Sequence, residues 1–396
     1  RPVADLKALV YGTGFAGQGH ARALAACGVD VVCLVGRTSE VTGRVAGELG
    51  IPDQTTNLAA AFARHRPDLI AIGTPGGAHV APVELAAKYG TAVYCDKPLA
   101  PDSATAQRLY ELTRDAGVKT AYAASFRYQP QVRFAADLVG CGQIGRVLEV
   151  ECVSHYDLNP LIPHSWSHLL AEGGGRLNNN FTHKLSIVEA ICGSAATAVC
   201  GETRNDMQRA PVAESTHDFR TREETAPTEN ELDGVEWRQV DSDWSYTVMA
   251  RMADGSAAAG TSGASLAGDP TRPASALFRH SGLQPRHHDD SIVVYGTDGA
   301  LALEGAYATG RVFVRSRTGR TWVELPIPES IVAGLPQIAD NAQRNWTALM
   351  RELVADLRGE QSEPYQTFFD GWRYQVAIDA VRAACGWTEL PTVGRA

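Results

Sequence analysis

Six residues near the start of the chain, Gly12-Thr13-Gly14-Phe15-Ala16-Gly17, have the types and spacing to hold a pyrophosphate. They follow the apolar run Leu9-Val10-Tyr11 and open a segment rich in Ala and Leu, the strand–turn–helix context in which G-x-G-x-x-G becomes a dinucleotide fingerprint. Gly12 permits a tight turn, Gly14 leaves room for phosphate oxygens to reach backbone N–H groups, and Gly17 lets the helix lie close on the strand. The helix N-terminus adds partial positive charge where the anion would sit. Gly12, Gly14, Phe15, Ala16 and Gly17 are therefore the expected cofactor cradle. The second apolar run ends in Gly36-Arg37-Thr38-Ser39, where an NAD site would place an acidic residue for the ribose 2′-OH. An arginine fork and two hydroxyls suit a phosphate dianion instead. Arg37, Thr38 and Ser39 thus predict NADP over NAD, against the plainer reading of a solvated Arg37 and a helix-capping Ser39.

Asp96-Lys97-Pro98 follows a third such run, beyond a strand's carboxyl end, where open α/β sheets take their ligands. A lysine serves as an acid or base there only if burial or a neighbouring cation lowers its pKa. Other clusters promise less. His164 and His168 are spaced like metal ligands, but Pro163 and the intervening Ser165-Trp166-Ser167 predict a loop with no third ligand, so no metal is expected. His287-His288-Asp289-Asp290 reads as a solvated loop entering a strand. The eight cysteines include no CxxC pair and are expected to be buried thiols in a reducing compartment.

These groups need elements to carry them. From Leu6 to Ala123, β-branched apolar runs alternate with amphipathic segments, the pattern of βαβ units on a parallel sheet. Strands are predicted at Lys7 to Tyr11, Val29 to Val35, Leu69 to Ile72, Ala92 to Cys95 and Lys119 to Ala123. A helix capped by Asp102 or Ser103 should reach Ala116. After Phe126 the rhythm changes to strands at Val147 to Tyr156, Trp244 to Met252, Ala257 to Thr261, Ser291 to Tyr295, Leu301 to Glu304 and Val312 to Arg315. Asp254-Gly255 is a hairpin signal. Helices are predicted from Asn180 to Ile191, ending at Gly193, and at Ile338 to Arg358 and Gln366 to Cys385. Arg204 to Asp233 and Gly268 to Asp290 read as long loops. The expected architecture is an N-terminal Rossmann domain, residues 1–125, followed by an α+β domain, residues 126–396. The second domain is built on a largely antiparallel open sheet, and its closing helices pack back on the first.

Composition bounds the function. At 396 residues two domains are the prior. A formal net charge of −9 argues against a broad phosphate-neutralising face for nucleic acid or anionic lipid. No apolar run approaches the ~20 residues of a membrane span, so a small-molecule partner and a cytoplasmic location are expected. The chain begins at Arg1, which leaves room for a removed leader.

The order of these motifs resembles the Gfo/Idh/MocA family of oxidoreductases. The resemblance rests on the glycine turn, Gly73-Thr74-Pro75, His79, Tyr94-Cys95-Asp96-Lys97-Pro98 and Ser125-Phe126-Arg127-Tyr128-Gln129-Pro130. It continues through Gly173 to His183 and into Thr367-Phe368-Phe369-Asp370-Gly371-Trp372. It implies an enzyme, a dehydrogenase or reductase acting on a CH–OH or C=O group of a sugar, amino sugar, inositol or related cyclic polyol. Lys97 then lies nearest the reacting oxygen, in the place of the family's Glu-Lys-Pro motif, with Asp96 for its glutamate. Thr74, Pro75, His79, Asp96, Lys97 and Arg127 would border the cofactor. His183 would be catalytic with Lys97, and Tyr156, Trp166, Asn179 and His183 would face the substrate. Asn179 stands where the family usually has Asp; spaced i, i+4 from His183, it shares a helix face with it but brings no charge. The resemblance also implies a homo-oligomer, a dimer or tetramer. Two other readings compete: a redox-assisted glycoside hydrolase or imine reductase of the same fold, and a dinucleotide-sensing regulator without catalysis.

Overall fold

Strands and helices alternate through the first third of the chain, as shown by a computed structural model that describes residues 6–213, 219–253, 272–285, 289–305 and 310–392. They run β1 (Lys7–Tyr11), α1 (Phe15–Ala26), β2 (Asp30–Val35), α2 (Ser39–Leu49), β3 (Asp53–Thr55), α3 (Leu58–His65), β4 (Leu69–Ile72), α4 (Val80–Tyr89), β5 (Ala92–Asp96), α5 (Ser103–Asp115) and β6 (Thr120–Ala123). The six strands are parallel in the order β3-β2-β1-β4-β5-β6. Strand order reverses between β1 and β4, which opens a crevice above their carboxyl ends. β4 and β6 are buried along their whole length, as strands covered on both faces must be. Asp102 caps α5 by accepting from Thr105 N at 2.8 Å.

The remainder forms α6 (Pro130–Gly140), β7 (Val147–His155), α7 (Thr182–Cys192), β8 (Ala196–Arg204), β9 (Arg209–Pro211), β10 (Trp237–Gln239), β11 (Ser245–Met252) and β12 (Ser275–Ser281). Next come β13 (Asp289–Gly296), β14 (Gly299–Glu304), β15 (Arg311–Ser316), β16 (Val323–Leu325), α8 (Glu329–Gly334), α9 (Asn341–Arg358), α10 (Phe368–Arg382) and β17 (Thr388–Glu389). Nine of these strands make one sheet, β16-β15-β14-β13-β7-β12-β11-β8-β17. Its pairs are antiparallel except β7 with β12. Alternate residues such as Val150, Cys152, Phe278, Ile292 and Val294 point into a core shared with Leu185 and Val188 of α7 and Ile378 and Val381 of α10.

The predicted strands of the first sheet stand within a residue or two. Two loop expectations for the second region fail. The stretch from Gly268 to Asp290 is not one loop, because β12 runs through it with buried Ala276, Phe278 and His280, and Arg204 to Asp233 contains β9. β8, β10, β16, β17, α6 and α8 of the second region, and β3 of the first sheet, arise where the sequence signals no separate element. Not every cysteine is buried: Cys141 and Cys385 are exposed. The predicted strand from Ala257 to Thr261 and the Asp254-Gly255 hairpin lie outside the described residues.

The last helices bind the first sheet to the second. Trp346 of α9 lies against Gly19 of α1, where a Cβ would come within 2.2 Å of the indole, and its ring sits 5.1 Å from Phe15 and 5.0 Å from His20. Gln366 accepts from Tyr122 N of β6 at 2.8 Å. From α10, Arg373 and Tyr374 hold Glu189 of α7 at 3.1 and 2.7 Å. No described helix is long and apolar enough to cross a membrane.

Candidate active site

The glycine turn is shaped by contact with the strand beside it. Gly12 has φ +119°, and a Cβ there would lie 2.7 Å from Gly73 O; a Cβ on Gly17 would lie 2.0 Å from Gly12 O. Any side chain would part the two loops. α1 begins at Gly14 without a side-chain cap or an acidic residue in its first turn, so its leading N–H groups are left for an anion. Thr74 Oγ1 is buried with no partner among the described residues, a further polar group for a ligand in the crevice. Beyond β2, Arg37, Thr38 and Ser39 are exposed. Thr38, not Ser39, is the residue preceding α2, and its side chain makes no capping bond. Arg37 has no ion pair among the described residues, and the glycine turn with its open N–H groups fits the pyrophosphate of a dinucleotide. His79 is fully buried, with Nε2 2.9 Å from Thr74 O and Nδ1 3.0 Å from Leu99 O. It ties the loop after β4 to the loop after β5.

At the carboxyl end of β5 the Lys97 Nζ donates to Asn179 Oδ1 at 3.0 Å, while Asn179 Nδ2 donates to Gly175 O at 2.9 Å. The amide is thus held with its oxygen toward the lysine. Asn179 sits in a π turn, Leu177–Phe181, that leads into α7, a local widening common at functional sites. Asp243 fixes the start of that turn by accepting from Leu177 N at 2.7 Å and from Arg382. Burial pushes the Lys97 ammonium below its ordinary pKa; Arg176 lowers it further, and Asp96 opposes. Burial also raises the Asp96 carboxyl to about 6, although Lys97 pulls it down. His183 stacks on Phe126 with ring centroids 4.0 Å apart. Burial first, then Lys97, Lys184 and Arg176, hold His183 well below the usual imidazole pKa, so its ring is neutral at pH 7. Its Nδ1 has no partner among the described residues.

Behind this triad lies a buried polar layer. Lys184 pairs with Asp290, both side chains being at most 4% exposed. Tyr156 OH donates to Asp290 Oδ2 at 3.1 Å and accepts from Asn180 Nδ2 at 3.4 Å, and Tyr246 OH donates to Asn180 Oδ1 at 2.5 Å. The reading of Asp290 as part of a solvated loop is corrected here: β13 carries it inward. His287 and His288 lie outside the described residues. Tyr156 therefore meets the layer through its hydroxyl and Arg176 through its ring, at 5.1 Å. Trp166 is half-buried at the start of a short turn capped by Ser165. His164 and His168 stack on each other, with His164 Nε2 3.2 Å from Gln239 O and His168 Nδ1 3.0 Å from Ser165 N. Arg127 is half-buried, its charge acting on Asp370.

A family model described as oxidoreductase family, NAD-binding Rossmann fold, matches residues 6–124, and one described as GFO/IDH/MocA C-terminal domain matches residues 132–302. The chain belongs to the Gfo/Idh/MocA family. Levoglucosan dehydrogenase of Pseudarthrobacter phenanthrenivorans is 25% identical over 209 residues, 49% of this chain and 54% of that protein. D-xylose 1-dehydrogenase (NADP(+)) 2 of Haloferax volcanii is 31% identical over 121 residues, 31% of this chain and 37% of that one. The matched segments thus span about half or less of these relatives. A solved levoglucosan dehydrogenase with NADH and levoglucosan has the same fold, with TM-score 0.78 at 18% identity over 98% of this chain and 100% of that one.

In this Gfo/Idh/MocA chain the structure brings Lys97, Asn179, His183 and Tyr156, all named from the sequence motifs, beside Arg176, Lys184 and Asp290, which the motifs do not single out as site residues. Arg176 was readable, lying three positions before Asn179. Lys184 with Asp290 was not, because 106 residues separate the partners. One group with metal-ligand geometry, Cys33, Asp53 and His65, also went unanticipated. There Asp53 already accepts from Arg64 as well as facing His65.

Proposed function

We propose that the protein is an NADP-dependent dehydrogenase or reductase acting on a secondary alcohol or carbonyl of a sugar or related cyclic polyol. The observation that carries this reading is the half-buried Lys97 ammonium, held at 3.0 Å by Asn179 Oδ1 beyond the carboxyl end of β5. The bound nicotinamide would supply hydride transfer. Lys97 Nζ exchanges a proton with the substrate oxygen, and the lowering of its pKa by burial makes that proton easier to release than from a solvated ammonium. Asn179 keeps that ammonium aimed, and the neutral His183 ring offers a hydrogen bond to a neighbouring hydroxyl. Orientation against the Phe126–His183 stack contributes through proximity. Arg37, Thr38 and Ser39 support NADP, as does the cofactor in the name of the xylose dehydrogenase relative; the NADH of the levoglucosan dehydrogenase structure speaks for NAD. We assign residues 1–125 to the cofactor domain and residues 126–396 to the substrate and assembly domain, in a cytoplasmic homo-oligomer.

The test is a panel of keto-sugars and cyclic polyols assayed by absorbance with NADPH, NADH and their oxidised forms. Turnover with at least ten-fold better kcat/KM for the phosphorylated cofactor supports the reading. Equal rates with both cofactors remove the NADP assignment, and no turnover across the panel removes the substrate class.

A further inference from the structure

The substrate wall carries more positive charge than an uncharged polyol needs. Arg176, Asn179 and His183 are spaced i, i+3, i+7 and so share one stripe of the turn and helix. The Arg176 Nε donates to His280 Nε2 at 2.9 Å, and His280 Nδ1 lies 2.7 Å from Ser154 Oγ. That chain fixes the guanidinium plane across the Tyr156 ring. The two Nη groups of Arg176 have no hydrogen-bond or ion-pair partner among the described residues, and neither does Lys97 have an ion pair there.

A third cation arrives from residues 219–231. Glu223 Oε1 accepts from Asn159 N at 3.1 Å, just past β7, while the Arg220 guanidinium lies 4.0 Å from the centre of the Phe15 ring, in the cofactor turn. The segment therefore spans from cradle to substrate wall, and Arg222 lies between these two anchors. Burial, then the charge of Arg176, lowers the Arg222 guanidinium to about 10, with Glu223 opposing. Arg222 acts in turn on His168. Among the described residues, Asp290 is paired with Lys184, and burial keeps the Asp96 carboxyl from ionising as readily as a free one. Arg176 and Lys97, like charges in a half-buried site with no ion pair among the described residues, favour an anion between them.

We infer that Arg176 and Arg222 form a subsite for an anionic substituent of the substrate, a carboxylate or phosphate on the sugar or polyol whose hydroxyl faces Lys97. An arginine with both Nη groups open offers a planar fork to two oxygens of such a group. This inference rests on the redox reading for the identity of the site but is testable by binding alone.

Methyl glucuronide, methyl glucoside 6-phosphate and methyl glucoside would be titrated calorimetrically into the NADPH-saturated protein, a dead-end complex because all three ligands are alcohols. At least ten-fold tighter binding of one charged ligand over methyl glucoside is expected, and the better of the two distinguishes carboxylate from phosphate. Arg176→Gln should bring the charged and neutral ligands within two-fold. Arg222→Gln, which leaves the helix stripe untouched, should cut the preference independently if Arg176→Gln fails to fold. Charged ligands binding no more tightly than methyl glucoside would overturn the subsite, as would a preference that survives in Arg222→Gln and any folded Arg176→Gln. Absence of NADP-dependent turnover with the preference intact would instead remove the redox reading and leave the anion site standing.

Discussion

The cofactor cradle and the substrate wall are built from different materials. The cradle is mostly backbone: glycines at 12, 17 and 73 press against one another, and the first turn of α1 leaves its N–H groups open. The wall is side chains from distant segments, with Lys97 from β5's end, Asn179 and His183 from the π turn and α7, and Asp290 from β13 locked to Lys184. A backbone site tolerates little change at the few positions where no Cβ fits. A side-chain site can lose one function while keeping its shape.

That contrast breaks most sharply at Lys97. Lys97→Met should lower kcat by about 10³-fold, within the range for a lost acid–base group, while leaving the cofactor Kd within about three-fold, measured by NADPH fluorescence. A parallel loss of cofactor affinity would mean the two regions are not separable. Asp290→Asn removes the carboxylate that faces the buried Lys184 ammonium and should cost about 3 kcal/mol in urea unfolding, with substrate KM rising through the disturbed Tyr156 layer. Gly12→Ala forces a side chain into φ +119° against Gly73 O, a strain of about 2 kcal/mol, so cofactor Kd should rise roughly 30-fold. Unaltered affinity would show that the turn is not the cradle. Arg37→Gln should weaken NADPH about ten-fold, a charge-assisted bond's worth, without affecting NADH.

The finest discrimination is a pH profile. Lys97 must be neutral to take a proton during oxidation, so kcat/KM should rise with pH through its lowered pKa. Asn179→Asp sets a carboxylate beside Nζ, favours the ammonium and should move that acidic limb upward by about one. An unmoved limb would mean that another group titrates.

The same contrast decides what could be read from the chain. The cradle was legible because its determinants are contiguous: one strand, one glycine spacing and one helix start, with Arg37 just past the next strand. β4 and β5 announced themselves as unbroken apolar runs. β12 alternates in Ser275–Ser281 as a strand should, but Pro270 and Pro273 ahead of it suggested a loop. β8 opens on small residues of weak strand character, Ala196-Thr197-Ala198, and tertiary pairing with β11 makes it a strand. Asp290 looked solvated beside two histidines, and its burial depends on a lysine that no local pattern connects to it.

Trp346 against Gly19 carries a consequence for biosynthesis. The cradle helix leaves the ribosome before α9, yet the indole that covers it belongs to α9, and the backbone partner of β6 is Gln366. At roughly 5–20 residues per second, the nascent Rossmann half waits on the order of 10–45 s after β6 before Trp346 is made. Until then α1 shows solvent or a chaperone the surface around Gly19 that the finished protein hides.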